Sequence, residues 1–237
     1  MFNIDRKTFY IIIGAIVLFN VILGGRSIES LILSLPGVIV AMTFHEFAHA
    51  WVATKLGDDT PRLQGRLNLN PMSHIDPVGL LSLLLLGFGW GRPVQINTRN
   101  INSKYSLSKA EALVAVAGPV MNIIIAFIAL LASAILLITI DVFTKPIQIL
   151  ITILQSITIV NLGLGVFNLI PVYPLDGSKV IGHFLSYRAR EWMIQNQFLL
   201  TIILFLVVFS TNIIGYIVQY LYQGMLMLVE LLIGVFI

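Results

Sequence analysis

The sequence predicts an all-α polytopic membrane protein with about six transmembrane helices and a re-entrant or short β element after the second. Three observations carry this expectation. Of 237 residues, 58% are hydrophobic and 11% charged, and the mean hydropathy is +0.96, whereas soluble domains run near ~45–50% apolar and ~25% charged. A soluble domain has too little interior for that much apolar side chain, so soluble, disordered and disulfide-stapled classes are excluded. Next, the apolar residues gather into six stretches near the ~20 residues that a spanning helix needs. Finally, the few basic residues divide unevenly between the two sides that those stretches define.

In chain order, the expected spans are Phe9–Leu23, Leu31–Leu56, Ala110–Ile140, Ile147–Ile170, Trp192–Phe209 and Ile213–Ile237. The first follows Arg6-Lys7 but is not trailed by an A-x-A-like cleavage site, so it reads as a retained anchor rather than a signal peptide. The last two are divided only by Ser210-Thr211-Asn212, a weak turn. Val78–Gly91 (VGLLSLLLLGFGWG) would be about 21 Å long as a helix, too short to cross, and reads as re-entrant or interfacial. Asn168–Gly177 (NLIPVYPLDG) contains Pro171 and Pro174, which cannot continue a helix. Broken backbone at membrane depth persists only inside protein or beside a water-filled cavity, so this run points to a polar cavity.

Alternating sides across six spans puts twelve of the fourteen basic residues on one face, leaving Arg26 and Lys145 on the other. The positive-inside rule makes the basic face cytoplasmic, with both termini on it. The expected location is therefore the cell membrane, multi-pass, and the basic balance calls for no nucleic acid. No polar stretch is long enough for an added soluble domain, so residues 1–237 read as one transmembrane domain in a lipid bilayer. Cys is 0, which removes thiol catalysis and thiolate metal sites.

The second span carries His45-Glu46-Phe47-Ala48-His49. On a helix, residues i and i+4 share a face, so both imidazoles can reach one cation, and Glu46 can take a proton from activated water. His45 precedes Lys55 by ten residues, about 15 Å, a depth at which two histidines and a glutamate need partners. Two histidines leave a catalytic site one protein ligand short. Asp176, at the proline-broken end of the fourth span and before Gly177, is best placed; His74, His183, Asp76 and Glu230 are the other candidates. On a helix opening at Asp176, Lys179 and His183 share its face. Two imidazoles and a carboxylate suit Zn2+, with Mn, Co or Fe as other N/O-site metals.

At these residues the chain resembles the site-2 protease family of intramembrane zinc metalloproteases. The resemblance rests on His45–His49 in a span, Gly118-Pro119-Val120-Met121-Asn122 at the start of the third span, and Asn168–Gly177. A softer block, Gly65–Gly79, resembles the family's segment after the motif helix. The resemblance implies Glu46 as catalytic residue, His45, His49 and Asp176 as zinc ligands, and Asn122 and Asn168 near the zinc, as contacts for substrate backbone. For Asn122 an interhelical hydrogen bond is the competing role. Ser178 stands where the family usually has a second glycine after Leu-Asp-Gly. The chain resembles a minimal member, without PDZ or cystathionine-synthase-type domains. The implied activity is hydrolysis of peptide bonds in single-pass membrane proteins or peptides near the cytoplasmic side. The segments around Arg66–Gly91 would hold unwound substrate by strand-like pairing. An ion or metal transporter, or a silent membrane scaffold, would be the alternative use of the same buried polar residues.

Overall fold

The computed structural model describes residues 27–234 apart from 87, 88 and 103. The expected span Phe9–Leu23 lies outside them. Long helices form where the sequence offers a capping side chain followed by an apolar run. Helix α1 (Ile28–Lys55) starts at Ser27, whose side chain accepts from Ser30 N–H, and Gly57 turns the chain after it at φ +107°. Two short turns, α2 (Thr60–Leu63) and α3 (Pro71–His74), lead to α4 (Pro77–Leu86). Then come α5 (Leu107–Thr139), capped by Ser106, α6 (Lys145–Asn168), α7 (Asp176–Phe184), α8 (Tyr187–Gln195), α9 (Gln197–Thr211) and α10 (Ile213–Gly234).

Helices α1, α5 and α6 pack on one another, α7 lies against α5, and α10 covers α5 and α6. The contact faces are made of small residues. Ala41, Ala48, Ala50 and Ala53 of α1 and Ala110, Ala115 and Ala126 of α5 are all buried. In lipid the hydrophobic effect does not drive helices together, so close van der Waals approach through such residues does. The large residues Ile124, Ile128, Ile135, Leu150 and Ile159 are exposed on the outer faces, as lipid-facing positions require.

Among the described residues four helices, α1, α5, α6 and α10, are long and apolar enough to cross a membrane, or five spans if the bent pair α8–α9 is one. The expected span Trp192–Phe209 is not a single straight helix. It breaks at Asn196 with a bend of 73° between α8 and α9. Both the Asn196 amide N–H and its Nδ2 donate to the Trp192 carbonyl, closing α8 before α9 begins. The weak turn before the last span does divide two helices, and Asn212 makes it by adopting φ 49°. Gly118-Pro119, whose residues read as serving close packing and a helix start, lies about three turns inside α5, so only the packing part applies.

The re-entrant element is a helix followed by an extended return. Asp76 Oδ1 accepts from the N–H groups of Val78 and Gly79 and so starts α4, which at 10 residues is about 15 Å long. The returning chain makes one antiparallel bridge, Ile75 with Gly91, and Arg92 N–H donates to the His74 carbonyl. No longer β-strand occurs among the described residues. Farther on, Asp58 ties the return to the end of α1. Its carboxylate, 0% exposed, accepts from Thr60 N–H, Thr60 Oγ1, Asn97 N–H and Asn100 Nδ2 at 2.6–3.1 Å.

Burial alone would raise the Asp58 pKa, but the hydrogen bonds from Thr60, Asn97 and Asn100 outweigh it and hold the group below its ordinary value. A carboxylate depressed in the folded state adds stability above its unfolded pKa and loses it as pH falls through the folded one. Asp58→Ala should therefore cost about 2–4 kcal/mol of local stability, seen as faster hydrogen exchange of the amides over 97–102. Wild type should show the same loosening only below the ordinary carboxylate range, near pH 3.8 and under.

Candidate metal centre

Helix α1 holds His45 and His49 one turn apart, with ring centroids 4.6 Å apart and planes at 88°. Their Nε2 atoms are 3.1 Å from each other. The third group arrives from the far side of the bundle. After α6 ends at Asn168, the proline-containing turn over 169–175 redirects the chain, and Asp176 opens α7. Asp176 Oδ2 sits 3.1 Å from His45 Nε2 and 3.2 Å from His49 Nε2, buried and without a hydrogen-bond donor. Three electron-pair donors thus form a nearly equilateral triangle. Tetrahedral zinc with bonds of about 2.0–2.1 Å to N and O ligands sets ligand atoms about 3.3 Å apart. The donor set and its spacing fit zinc.

One face of α5 forms the floor of the site. His49 Nδ1–H donates to the Val114 carbonyl at 2.7 Å. Because a carbonyl only accepts, the His49 proton resides on Nδ1 and Nε2 keeps its lone pair. One turn on, a Cβ at Gly118 would lie 2.5 Å from His49 Nε2 and 2.6 Å from His45 Cε1. Another turn on, Asn122 Oδ1 lies 2.7 Å from His45 Nδ1. Val114, Gly118 and Asn122 are spaced i, i+4, i+8, so one helix stripe backs both rings.

Above the triangle opens a cleft of about 300 Å³, lined among others by Glu46, Trp90, Val94, Glu111, Asn168 and Lys179. Glu46 is 9% exposed and projects beside the two histidines. The return segment crosses close to it: a Cβ on Gly91 would lie 2.7 Å from Glu46 Oε1. At the rim Glu111 accepts from Arg190 at 2.7 Å, joining α8 to α5.

Of the candidates from sequence, the structure brings His45, His49 and Asp176 together, with Glu46 and Asn168 on the cleft. Asn122 lies next to the metal site, 0% exposed behind His45, and bonds to the Ala41 carbonyl of α1, the interhelical contact that stood as its competing role. The other candidate ligands lie elsewhere. His74 is buried with Nε2 against the Asn68 carbonyl, and His183 Nδ1 lies 3.3 Å from Ser108 Oγ. Asp76 caps α4, and Glu230 is exposed on α10. Sequence reasoning missed Asn161, which is 0% exposed and bonded to Asn122. Its signal was present: it precedes Asn168 by seven residues, two turns, on an apolar helix.

The model of Peptidase family M50 matches residues 33–210, which contain His45, Glu46, His49, Asn122, Asn161, Asn168 and Asp176. The chain belongs to peptidase family M50. It is 40% identical over 184 residues to "Putative zinc metalloprotease YwhC" of Bacillus subtilis, covering 76% of this chain and 81% of that protein. It is 27% identical over 197 residues to "Putative zinc metalloprotease Rip2" of Mycobacterium tuberculosis, covering 78% and 72%. It is also 26% identical over 152 residues to "Zinc metalloprotease MJ0392" of Methanocaldococcus jannaschii, covering 64% and 34%. No solved structure matches the chain. In this M50 member the triangle of His45, His49 and Asp176 lies inside the matched residues.

Since Gly118 touches the ligands without offering a ligand atom, Gly118→Ala should push the two rings apart. Zinc affinity, measured by chelator competition, is expected to fall at least about tenfold. Alanine at Gly163, where a Cβ meets nothing within 4 Å, should leave it unchanged.

Proposed function

We propose that this intramembrane zinc metalloprotease hydrolyses peptide bonds of single-pass membrane proteins or peptides near the cytoplasmic side of the bilayer. The observation that carries this reading is Glu46 on a cleft directly beside the His45, His49 and Asp176 triangle. A metal carrier has no need of a base at that position, and membership of a peptidase family supports hydrolysis over transport.

His45, His49 and Asp176 would hold zinc, which supplies a Lewis acid that activates water and polarises a peptide carbonyl. Glu46 takes the proton of the attacking water and later delivers it to the leaving nitrogen. Asn168 lines the cleft with its Nδ2 donating to the Leu164 carbonyl, placed to meet the backbone of bound substrate. Asn122 orients His45 instead of contacting substrate. The cleft, about 300 Å³, has no room for a helix about 10–12 Å across, so the scissile segment enters unwound. Residues 92–97 belong to no helix, and Pro93, Val94 and Ile96 among them line the cleft and offer the unwound segment a neighbouring backbone. Helix-weakening residues near the cleavage point should therefore favour substrates.

Glu46→Gln keeps the size of the side chain and removes its basicity. Cleavage of a membrane substrate should fall by about 10²–10⁴-fold while bound zinc stays at the wild-type level. Cleavage at the wild-type rate would exclude Glu46 as the base.

Orientation can be tested without background because the chain has Cys 0. A cysteine at exposed Lys104 should react with a membrane-impermeant maleimide only from the cytoplasmic side, and one at exposed Val142 only from the other. The reverse pattern would invert the proposed topology.

A further inference from the structure

Behind the metal ligands runs a line of amides that the chemistry described so far does not use. Asn161 lies on α6, 0% exposed, between the apolar residues Val160 and Leu162 and one turn after the hydroxyl of Thr158. A buried amide at that depth is costly unless each polar atom is paired. Its Nδ2 donates to the Ile157 carbonyl at 2.8 Å, and its Oδ1 accepts from Asn122 Nδ2 at 2.8 Å. Asn122 Nδ2 also donates to the Ala41 carbonyl at 3.0 Å, and Asn122 Oδ1 faces His45 Nδ1 at 2.7 Å.

Donor and acceptor accounting fixes the direction of every bond in this line. The Ile157 carbonyl only accepts, so Asn161 must turn its NH₂ toward it and its oxygen toward Asn122. Asn122 then faces two acceptors, the Ala41 carbonyl and Asn161 Oδ1, and must spend both N–H groups on them. Its oxygen is left for His45, whose Nδ1 must therefore carry the proton. The lone pair of His45 Nε2 is thereby kept for the triangle with His49 and Asp176. Reversing either amide would set acceptor against acceptor at one end.

We propose that Asn161 is a positioning residue for the metal centre: it fixes the amide of Asn122 and, through it, the tautomer and ring orientation of His45. The inference rests on the reading of His45, His49 and Asp176 as zinc ligands. It assigns α6 a share in building a site whose ligands all lie on α1 and α7. Removing Asn161 leaves one Asn122 N–H unpaired in a buried place and lowers the barrier to the wrong amide orientation.

The test measures zinc dissociation constants by chelator competition on the purified full chain. The set is wild type, Asn161→Leu, Asn161→Asp, Thr158→Val and Asp176→Ala. Asn161→Leu should weaken zinc about tenfold. Asn161→Asp should recover most of that loss, since a neutral carboxyl can donate to the Ile157 carbonyl and accept from Asn122. Thr158→Val removes another fully buried hydrogen-bonding group one turn away, bonded to the Ala126 and Leu154 carbonyls. It should lower thermal stability but leave the zinc constant unchanged. In zinc-free protein labelled with ¹⁵N-histidine, Asn161→Leu should also shift His45 from the Nδ1–H form toward a mixture. If Asn161→Leu does not accumulate, Asn161→Met supplies the same comparison.

Wild-type affinity in the apolar variant, an equal loss in Thr158→Val, or no recovery in Asn161→Asp would overturn the proposal. If Asp176→Ala binds zinc as tightly as wild type, the ligand assignment itself fails, an outcome distinct from the others.

Discussion

Three electron-pair donors held about 3 Å apart inside an apolar bundle are the constraint around which this molecule is built. The inward-turned atoms of His45, His49 and Asp176 lie 3.1–3.2 Å apart, and burying a carboxylate among them is costly unless a positive charge meets it. A cation held between them would meet that need, and it calls for a scaffold stiff enough to keep the three groups in place. The scaffold is visible in what lies behind each ring. His49 is anchored to the Val114 carbonyl and His45 to Asn122, with Gly118 clearing the space that both imidazoles fill. An outer layer of this kind is how proteins set ligand orientation and metal affinity together.

Small residues make that geometry possible over a longer range. Alanines line the α1–α5 contact above and below the site, bringing the two helix backbones close enough for an α5 carbonyl to reach an α1 histidine. The third ligand needs the opposite property, a helix that stops. The α6 helix ends before Pro171, and the turn over 169–175 swings Asp176 back into the bundle. Packing and breakage thus serve one centre. On its open side, the return from the re-entrant helix passes Glu46 at Gly91 and is pinned by Asp58. On that side the cleft is therefore bordered by non-helical backbone rather than by another helix.

Much of this was legible in sequence because it depends on local patterns. The i, i+4 histidines of α1, the prolines before Asp176 and the apolar runs of α5 and α6 each dictate their own consequence. Gly118 and Asn122 were visible as a motif, and for Asn122 two roles stood open, substrate contact and an interhelical hydrogen bond. Whether an amide meets substrate or backs a ligand depends on a separation between helices that no spacing within one helix encodes. Asn161 was missed for the same reason, since its partner lies 39 residues away on another helix. Trp192–Phe209 looked continuous because hydropathy averages over Gln195-Asn196-Gln197, where the two hydrogen bonds of Asn196 to one carbonyl end a helix before the apolar run begins.

The central claim is that two helices place two imidazoles and one carboxylate around a single zinc ion. Zinc-edge X-ray absorption on the purified full chain, with metal content counted alongside, tests it most directly. The account predicts about one zinc per chain, two imidazole nitrogens and oxygen ligands near 2.0–2.1 Å, and loss of that centre in Asp176→Ala. A first shell without two imidazoles, or the same spectrum and zinc content in Asp176→Ala, would contradict it.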